Sequence, residues 1–245
     1  GTEGASAVGG RGRTYVFNSV TSEKTEERHV LGMAPGAKII PISNAYAGNL
    51  FDCWIFAAEG YDGNVTTPGD QPQIASNSFG FSSTNQDGWD IYSAYLDWIN
   101  VYYASGGTSF TVSTGNSGPG YGSVSTPASA NSVIAVGAST DFSSRRPSGL
   151  EKGPNPTWGE VVGFSARGPS ALGETKPDVL AVGRQAFGAL PLNQMNPRDG
   201  SIANGIWMGT SLSSPACAGV LAMVYQAYKA SHGGNFPNST TARRL

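Results

Sequence analysis

Ser211 is the residue of this chain best placed to do chemistry, because it stands where a long apolar helix should begin. The surrounding run, residues 209–224, reads GTSLSSPACAGVLAMV. Proline lacks a backbone N–H, so Pro215 is tolerated only near the start of a helix, and Ser211 should lie at the helix entrance. There the unpaired N–H groups and the positive end of the helix dipole would stabilise an oxyanion beside the Ser211 hydroxyl during acyl transfer. A simple helix cap is the alternative interpretation of an isolated serine at this position.

The segment around Ser211 resembles the nucleophile motif of the subtilisin-like serine peptidases, the subtilases. Three further segments resemble the same family and follow its order along the chain. They are MAPGAKIIPI at 33–42, TVSTGNSGPG at 111–120 and FSARGPSALGETKPDVLAVG at 164–183. One short motif is modest support, whereas four in a fixed order over nearly the whole chain indicate membership of that family.

The resemblance implies a serine endopeptidase that hydrolyses peptide bonds through an acyl-enzyme intermediate. Ser211 would be the nucleophile, and the side-chain amide of Asn116 would stabilise the oxyanion together with the Ser211 N–H. The family's aspartate and histidine precede its serine in the chain. The opening GTEGASAVGG aligns with the family's histidine motif from the glycine after the histidine, so neither the histidine nor the aspartate falls within these 245 residues.

The two histidines of the chain are poor substitutes for the missing base. His29 lies in the polar run SEKTEERHV, and His232 lies in SHGGNFPN, after the nucleophile helix. A serine hydroxyl is a weak nucleophile until a positioned imidazole removes its proton. A polypeptide of these 245 residues alone is therefore expected to be nearly inert as a peptidase.

Three explanations of the missing base remain open. The sequence is a portion of a longer chain, which we favour; or the protein works with a second piece; or it is a non-catalytic module with a binding or structural role in an extracellular assembly. In the first case the missing N-terminal segment of the same protein is the expected partner. An α/β-hydrolase esterase is disfavoured because no G-x-S-x-G elbow surrounds Ser211.

Substrate-binding residues are carried over from the resemblance position by position. The family pairs an extended peptide with a strand bearing a Ser-Leu-Gly triplet, which here reads Ser78, Phe79 and Gly80, and the phenylalanine should alter the shape of a neighbouring subsite. Such pairing uses the peptide backbone and demands no particular side chain. The other binding residues belong to the Gly-Asn turn, to the opposite pocket wall with an expected cis proline, and to the neighbour of the nucleophile: Thr114, Gly115, Thr126, Pro127 and Thr210. Because Ser117 offers no carboxylate, little selection for basic side chains is expected.

Short strands alternating with helical segments predict the fold. Apolar or β-branched runs bounded by Gly, Pro, Asn and Ser predict buried strands at AKIIPI, QIASNSFG, TSFTVSTGN and SVIAVGAS. The segment WDIYSAYLDWINVYYASGG predicts a helix whose Ile91, Tyr95, Trp98 and Tyr102 pack on the sheet. We therefore expect an α/β fold with three layers: a doubly wound, mostly parallel sheet with helices on both faces, of the subtilisin-like type.

Residues 1–245 are predicted to form one peptidase domain that is incomplete at both ends. Segments 11–28 and 145–158 look like surface insertions, and the final NSTTARRL is typical of the first turn of another helix. In an open parallel sheet ligands bind at the carboxyl ends of the strands, which is where Asn116 should lie.

Composition narrows the classes of function. A net charge of −2, from 15 basic and 17 acidic residues, gives no basic surface for nucleic acid. No apolar run approaches the roughly 20 residues that span a bilayer. The low charged fraction, 13%, and the 34 glycines favour a secreted or cell-surface protein. Sequons at Asn64 and Asn238 permit N-glycosylation if the chain meets the machinery for it.

Neither the cysteines nor the acidic residues predict a metal site. Cys53 and Cys217 lie in apolar runs, which favours small buried residues over metal ligands or a redox pair, and a disulfide between them is the less favoured alternative. Structural calcium is common in the family, but we find no compact oxygen-ligand loop to assign to it. No cofactor is therefore predicted to be required.

Overall fold

The computed structural model of the protein describes residues 2–17, 24–42, 49–64, 66–67, 70–81, 87–103, 107–140, 159–184, 186–191 and 204–245. Its helices are α1 (Thr2–Gly9), α2 (Leu50–Glu59), α3 (Ile91–Trp98), α4 (Thr210–Ser231) and α5 (Ser239–Ala242), and α3 continues into one π-helical segment, Ile99–Tyr103. Its strands are β1 (Arg11–Phe17), β2 (Lys24–Leu31), β3 (Ile74–Asn77), β4 (Ser109–Ser113), β5 (Ile134–Ser139), β6 (Val179–Val182), β7 (Ala186–Ala189) and β8 (Asn204–Trp207).

Four parallel strands form the central sheet, in the order β3-β4-β5-β6. Side chains alternate along a strand, so each strand presents residues to both faces. Phe110 and Val112 of β4 are buried in a cluster with residues of α2 and α3. Val136 of β5 is buried on the other side, in a cluster with Tyr225 of α4. Helices cover both faces of the sheet, which confirms the predicted α/β class.

Three of the four predicted strands occur as β3, β4 and β5. The fourth, predicted at residues 37–42, is wrong. There Ile39, Ile40 and Ile42 are exposed, and none of the described strands pairs with this segment. Hydrogen bonds to a neighbouring strand hold a strand in place, so an apolar run without such a neighbour stays irregular.

The buried face of α3 differs from the one that aromatic spacing predicts. Ile91 and Tyr102 are 68% and 77% exposed, and of the four predicted residues only Tyr95 packs against the core cluster. Leu96 and Ile99 are fully buried instead. Most of the circumference of this helix is apolar, so helical spacing allowed more than one face. The aliphatic side chains fill the close contact with the sheet, while the bulky rings lie at its margin.

Two antiparallel strand pairs accompany the sheet. β1 pairs with β2, so the described residues of the predicted surface insertion at 11–28 belong to an antiparallel strand pair. β7 pairs with β8, which leads into α4, and α1 packs against both α4 and β7. The predicted insertion at 145–158 lies outside the described residues. No helix in the described part of the chain combines the length and the apolar character needed to cross a bilayer.

Candidate active site

The turn before α4 brings Ser211 to the entrance of the helix, as predicted. α4 begins at Thr210 and contains Pro215. Gly209 precedes the helix with φ 135°, a conformation in which a side chain would be strained, and this lets the chain turn sharply into α4. Ser211 is half-buried, so part of the residue is open to solvent.

The backbone N–H groups of the first turn of α4 are engaged, with one exception. Leu212 and Ser213 donate to the Gly209 carbonyl at 3.0 and 3.4 Å. Thr210 donates its N–H to the side-chain oxygen of Asn116, a residue that follows β4. Among the described residues the N–H of Ser211 has no acceptor. This donor is therefore available to a ligand at the positive end of the helix.

Asn116 follows β4 and is held beside this turn by Thr210. Its Oδ1 accepts hydrogen bonds from the Thr210 N–H at 3.0 Å and from the Thr210 hydroxyl at 3.1 Å, and the same hydroxyl oxygen accepts the Gly115 N–H at 3.2 Å. Because an N–H can only donate, the amide oxygen must face Thr210, and Nδ2 faces away from it. A Cβ built on Gly209 would lie 3.5 Å from Nδ2 and 3.6 Å from the Ser211 nitrogen. Both donors therefore border one small space.

Ser78 follows β3 and contacts Ser211 through two groups. Its hydroxyl donates to the Ser211 carbonyl at 2.9 Å, and the Ser211 hydroxyl donates to the Ser78 carbonyl at 3.3 Å. One turn further along α4, the Ser214 hydroxyl donates to the Asn77 carbonyl at 3.3 Å. The carboxyl ends of β3 and β4 thus both meet the start of α4, the edge at which open parallel sheets bind ligands.

Ser125 is a site residue that the sequence analysis missed. A Cβ on Gly80 would lie 2.4 Å from its hydroxyl oxygen, and a Cβ on Gly115 would lie 2.8 Å from the same atom. The Ser125 hydroxyl donates to the Thr114 carbonyl at 3.0 Å. Three predicted binding residues thus converge on one buried serine. A glycine at the end of each of two neighbouring strands was the available signal, since such glycines mark close backbone approach.

Thr126 and Pro127 follow Ser125, and the peptide bond between them is cis, as predicted. Thr126 pairs with Phe81 in an antiparallel bridge, with hydrogen bonds of 2.8 and 3.2 Å. Its hydroxyl donates to the carboxylate of Asp90, the N-cap residue of α3. The predicted pocket wall is therefore tied to the chain that continues from β3.

Phe79 is positioned from the opposite face of the sheet. Its ring stacks on Trp54 of α2, with the ring centroids 6.3 Å apart. The indole N–H of Trp54 also donates to the side-chain oxygen of Asn77 at 3.0 Å. Both contacts fix the end of β3, so α2 helps to position the predicted binding triplet, Ser78 to Gly80.

His232 takes no part in the hydrogen bonds of Ser211 among the described residues. His232 follows the last residue of α4, roughly 31 Å from Ser211 at 1.5 Å per residue. Its ring stacks on Tyr228 with the centroids 3.7 Å apart. His29 lies opposite Arg13 in the separate β1-β2 hairpin.

Among the described residues, the Ser211 hydroxyl and carbonyl bond to Ser78, and the neighbouring Asn116 and Thr210 are also uncharged. The start of α4 contributes positive potential beside the hydroxyl. Within the described ranges, no group of three or more His, Cys, Asp or Glu side chains has the arrangement of a metal site. Cys53 and Cys217 are not joined by a disulfide, and burial raises the pKa of Cys217 to about 11.

Comparisons with known proteins point to one family. Residues 1–243 match the subtilase family, Peptidase_S8. Pyrolysin of Pyrococcus furiosus is 30% identical over 231 residues, which cover 87% of this chain and 15% of pyrolysin. Bacillopeptidase F of Bacillus subtilis is 26% identical over 229 residues, which cover 87% of this chain and 14% of that protein. The chain therefore spans a small part of the length of both relatives.

The fold is also that of solved peptidase structures. The self-cleaved protease domain of PatA matches 100% of this chain and 72% of its own, with a TM-score of 0.63 and 21% identity, a likeness that concerns the fold alone. The four motifs, the parallel sheet with helices on both faces and the family match over residues 1–243 agree. The chain belongs to the subtilase family.

Proposed function

We propose that the protein to which these residues belong is a serine endopeptidase with Ser211 as its nucleophile. The observation that carries the proposal is the pair of N–H donors, the Ser211 backbone and Asn116 Nδ2, that border one space beside the Ser211 residue. Attack on a peptide carbonyl places negative charge on its oxygen. Donors fixed in advance at that point stabilise the charged transition state more than the neutral substrate, and this difference is what accelerates the reaction.

The proposed reaction has two stages. Ser211 Oγ attacks the carbonyl carbon while its proton passes to a base, and the tetrahedral oxyanion forms between the two donors. The base then gives the proton to the leaving amine, the C–N bond breaks and an acyl-enzyme remains. Water attacks this ester by the same steps and releases the carboxylic acid.

The base is proposed to come from a segment of the same protein that precedes α1. A Cβ on Gly4 of α1 would lie 3.9 Å from Cγ of Pro215, one turn of α4 away from Ser211. The first half of α1 therefore lies beside the first turns of α4. The family resemblance puts a histidine immediately before the residue aligned with Gly1, and an imidazole there would start close to the Ser211 hydroxyl. An aspartate further upstream would orient it.

The proposed substrate is an extended polypeptide bound along the residues that follow β3. Ser78, Phe79 and Gly80 leave β3 beside Ser211, and backbone pairing there would lay the scissile bond across the two donors. The chemistry uses protein groups alone, so we propose no required cofactor. We also propose a secreted or cell-surface location, which the low charge content supports.

Labelling of the full-length protein with a fluorophosphonate tests the assignment, because this reagent bonds covalently to an activated serine. Peptide mapping should find the adduct on Ser211, and Ser211→Ala should abolish both labelling and casein hydrolysis. His232→Ala is a matched control that should change neither. An adduct on another serine, or a folded full-length protein that takes no label, contradicts the proposal, and the second result favours the non-catalytic module.

The gene upstream of the Gly1 codon tests the origin of the base. A histidine codon directly before Gly1, with an aspartate codon further upstream, supports the proposed proton transfer. A start codon or an unrelated domain at that place contradicts it.

A further inference from the structure

Pro215 deprives the nucleophile residue of its own helical hydrogen bond. In an α-helix the carbonyl of residue i accepts the N–H of residue i+4. For Ser211 that residue is Pro215, which has no N–H. The Ser211 carbonyl needs another donor, because an unpaired backbone acceptor away from water is costly.

We infer that Ser78 supplies this donor and is thereby a positioning residue for the nucleophile. Its hydroxyl oxygen lies 2.9 Å from the Ser211 carbonyl oxygen, which it can reach only as a donor. The Ser211 hydroxyl donates back to the Ser78 carbonyl at 3.3 Å. The two bonds hold both the backbone and the side chain of Ser211 against the end of β3.

The residue before Ser78 is held by strand pairing and by two hydrogen bonds. Asn77, the residue before it, is the last residue of β3 and pairs in register with Val112 of β4. The side chain of Asn77 accepts a hydrogen bond from Trp54 at 3.0 Å, and its carbonyl accepts one from Ser214 at 3.3 Å. A hydroxyl on so constrained a backbone fixes the distance between β3 and the first turn of α4.

The inference rests on the proposed function and predicts an effect on turnover rather than on substrate affinity. Ser78→Ala removes the hydroxyl and leaves the backbone of residue 78 free to pair with substrate. The first turn of α4 would then shift the Ser211 hydroxyl and N–H relative to the bound carbonyl. In the full-length protein we expect kcat to fall by about tenfold, with KM changed less than about twofold.

Restoring the missing N–H should make Ser78 dispensable. Pro215→Ala returns a donor to position 215, so in that background Ser78→Ala should lower kcat by less than about threefold. Ser78→Thr keeps the hydroxyl and should hold kcat near the wild-type value, which gives a second comparison if Pro215→Ala fails to fold. Ser231→Ala is the matched control: it removes a serine hydroxyl at the far end of α4, where it bonds to the carbonyls of Ala227 and Tyr228, and kcat should stay unchanged.

The outcomes separate this inference from the proposed function. A wild-type kcat for Ser78→Ala, or an equal loss in both backgrounds at position 215, overturns the positioning role. So does a loss that appears in KM alone. If Ser211→Ala remains active, the proposed function itself fails, whereas an inactive Ser211→Ala beside a fully active Ser78→Ala removes the inference only.

Discussion

At the scale of single residues, Asn116 does two different things with two different atoms. Its Oδ1 accepts two hydrogen bonds from Thr210 and so ties the end of β4 to the start of α4. Its Nδ2 donates to no acceptor among the described residues and borders the space beside the Ser211 N–H. The hydrogen bonds from Thr210 to Oδ1 thus fix the orientation of the amide, and this orientation leaves Nδ2 available to a ligand.

Replacing Asn116 should separate the two tasks. Asn116→Asp keeps an oxygen for Thr210 and removes the donor, while Asn116→Ala removes both. Loss of one such donor from a subtilisin lowers kcat by about 10²–10³, so both variants should lose about that much turnover in the full-length protein, with little change in KM.

Thermal unfolding provides the control for this pair of variants. The unfolding midpoint of Asn116→Asp should stay closer to the wild-type value than that of Asn116→Ala. Unchanged turnover in either variant would remove Asn116 from the mechanism.

At the scale of elements, the ends of three strands hold the start of α4. Ser78 after β3 and Asn116 after β4 bond to its first turn. After β6, the Gly183 carbonyl accepts the N–H of Gly209 at 2.8 Å. Because each of these three strand ends contributes at least one hydrogen bond, the geometry at Ser211 depends on the placement of β3, β4 and β6 in the sheet.

Gly183→Ala should disturb this arrangement. An added Cβ would lie 2.3 Å from the Ser213 hydroxyl oxygen, 2.4 Å from Cβ of Ala138 and 3.0 Å from the Gly209 carbonyl oxygen. The end of β6 must move away from the start of α4 to relieve these contacts. Overpacking of this kind lowers the free energy of unfolding by about 1–3 kcal/mol. We also expect fluorophosphonate labelling of the full-length protein to fall.

Gly163→Ala is the matched control for Gly183→Ala, because a Cβ there meets nothing within 4 Å. Chemical denaturation and labelling should both be unaffected by it. If the two alanine variants behave alike, the close approach at Gly183 does not position Ser211.

At the scale of the whole molecule, α4 connects the site to the stability of the fold. The helix packs across β3, β4, β5 and β6, with Ser211 at its start. Further along, the Tyr225 hydroxyl bonds to Ser109 of β4 at 2.6 Å. Burial raises the pKa of both Tyr225 and Cys217, which lie on this helix. A change that loosens α4 should therefore affect folding and catalysis together.

The raised pKa of Cys217 predicts a loss of stability at high pH. Its value of about 11 in the folded protein exceeds the ordinary 9.0, so folding favours the neutral thiol. This contribution is complete below pH 9 and is lost as the pH rises from 9 towards 11. Between these limits the free energy of unfolding of the wild type should fall by about 2 kcal/mol more than that of Cys217→Ala.

Urea unfolding of both proteins at pH 8, 10 and 11 measures this difference. Tyr225 is present in both proteins, so its own contribution above pH 10 cancels in the comparison. Parallel pH profiles would show that the thiol of Cys217 is not desolvated enough to matter.

The sequence by itself determined the features that depend on neighbouring residues. Pro215 placed the start of α4, apolar runs between turn residues predicted β3, β4 and β5, and the motifs identified the family. These predictions succeed because backbone preferences and short motifs act over a few residues.

Only the tertiary structure decided which distant groups meet. It buried Leu96 rather than the aromatic stripe of α3, left residues 37–42 without a strand partner and brought Ser125 against two glycines. Above all it joined Ser78 to Ser211 across 133 positions of sequence. Contacts of this kind are selected by the packing of the whole chain. Many helix faces and many strand partners satisfy the local sequence pattern equally well. Only one combination of them fills the core and pairs the buried polar groups.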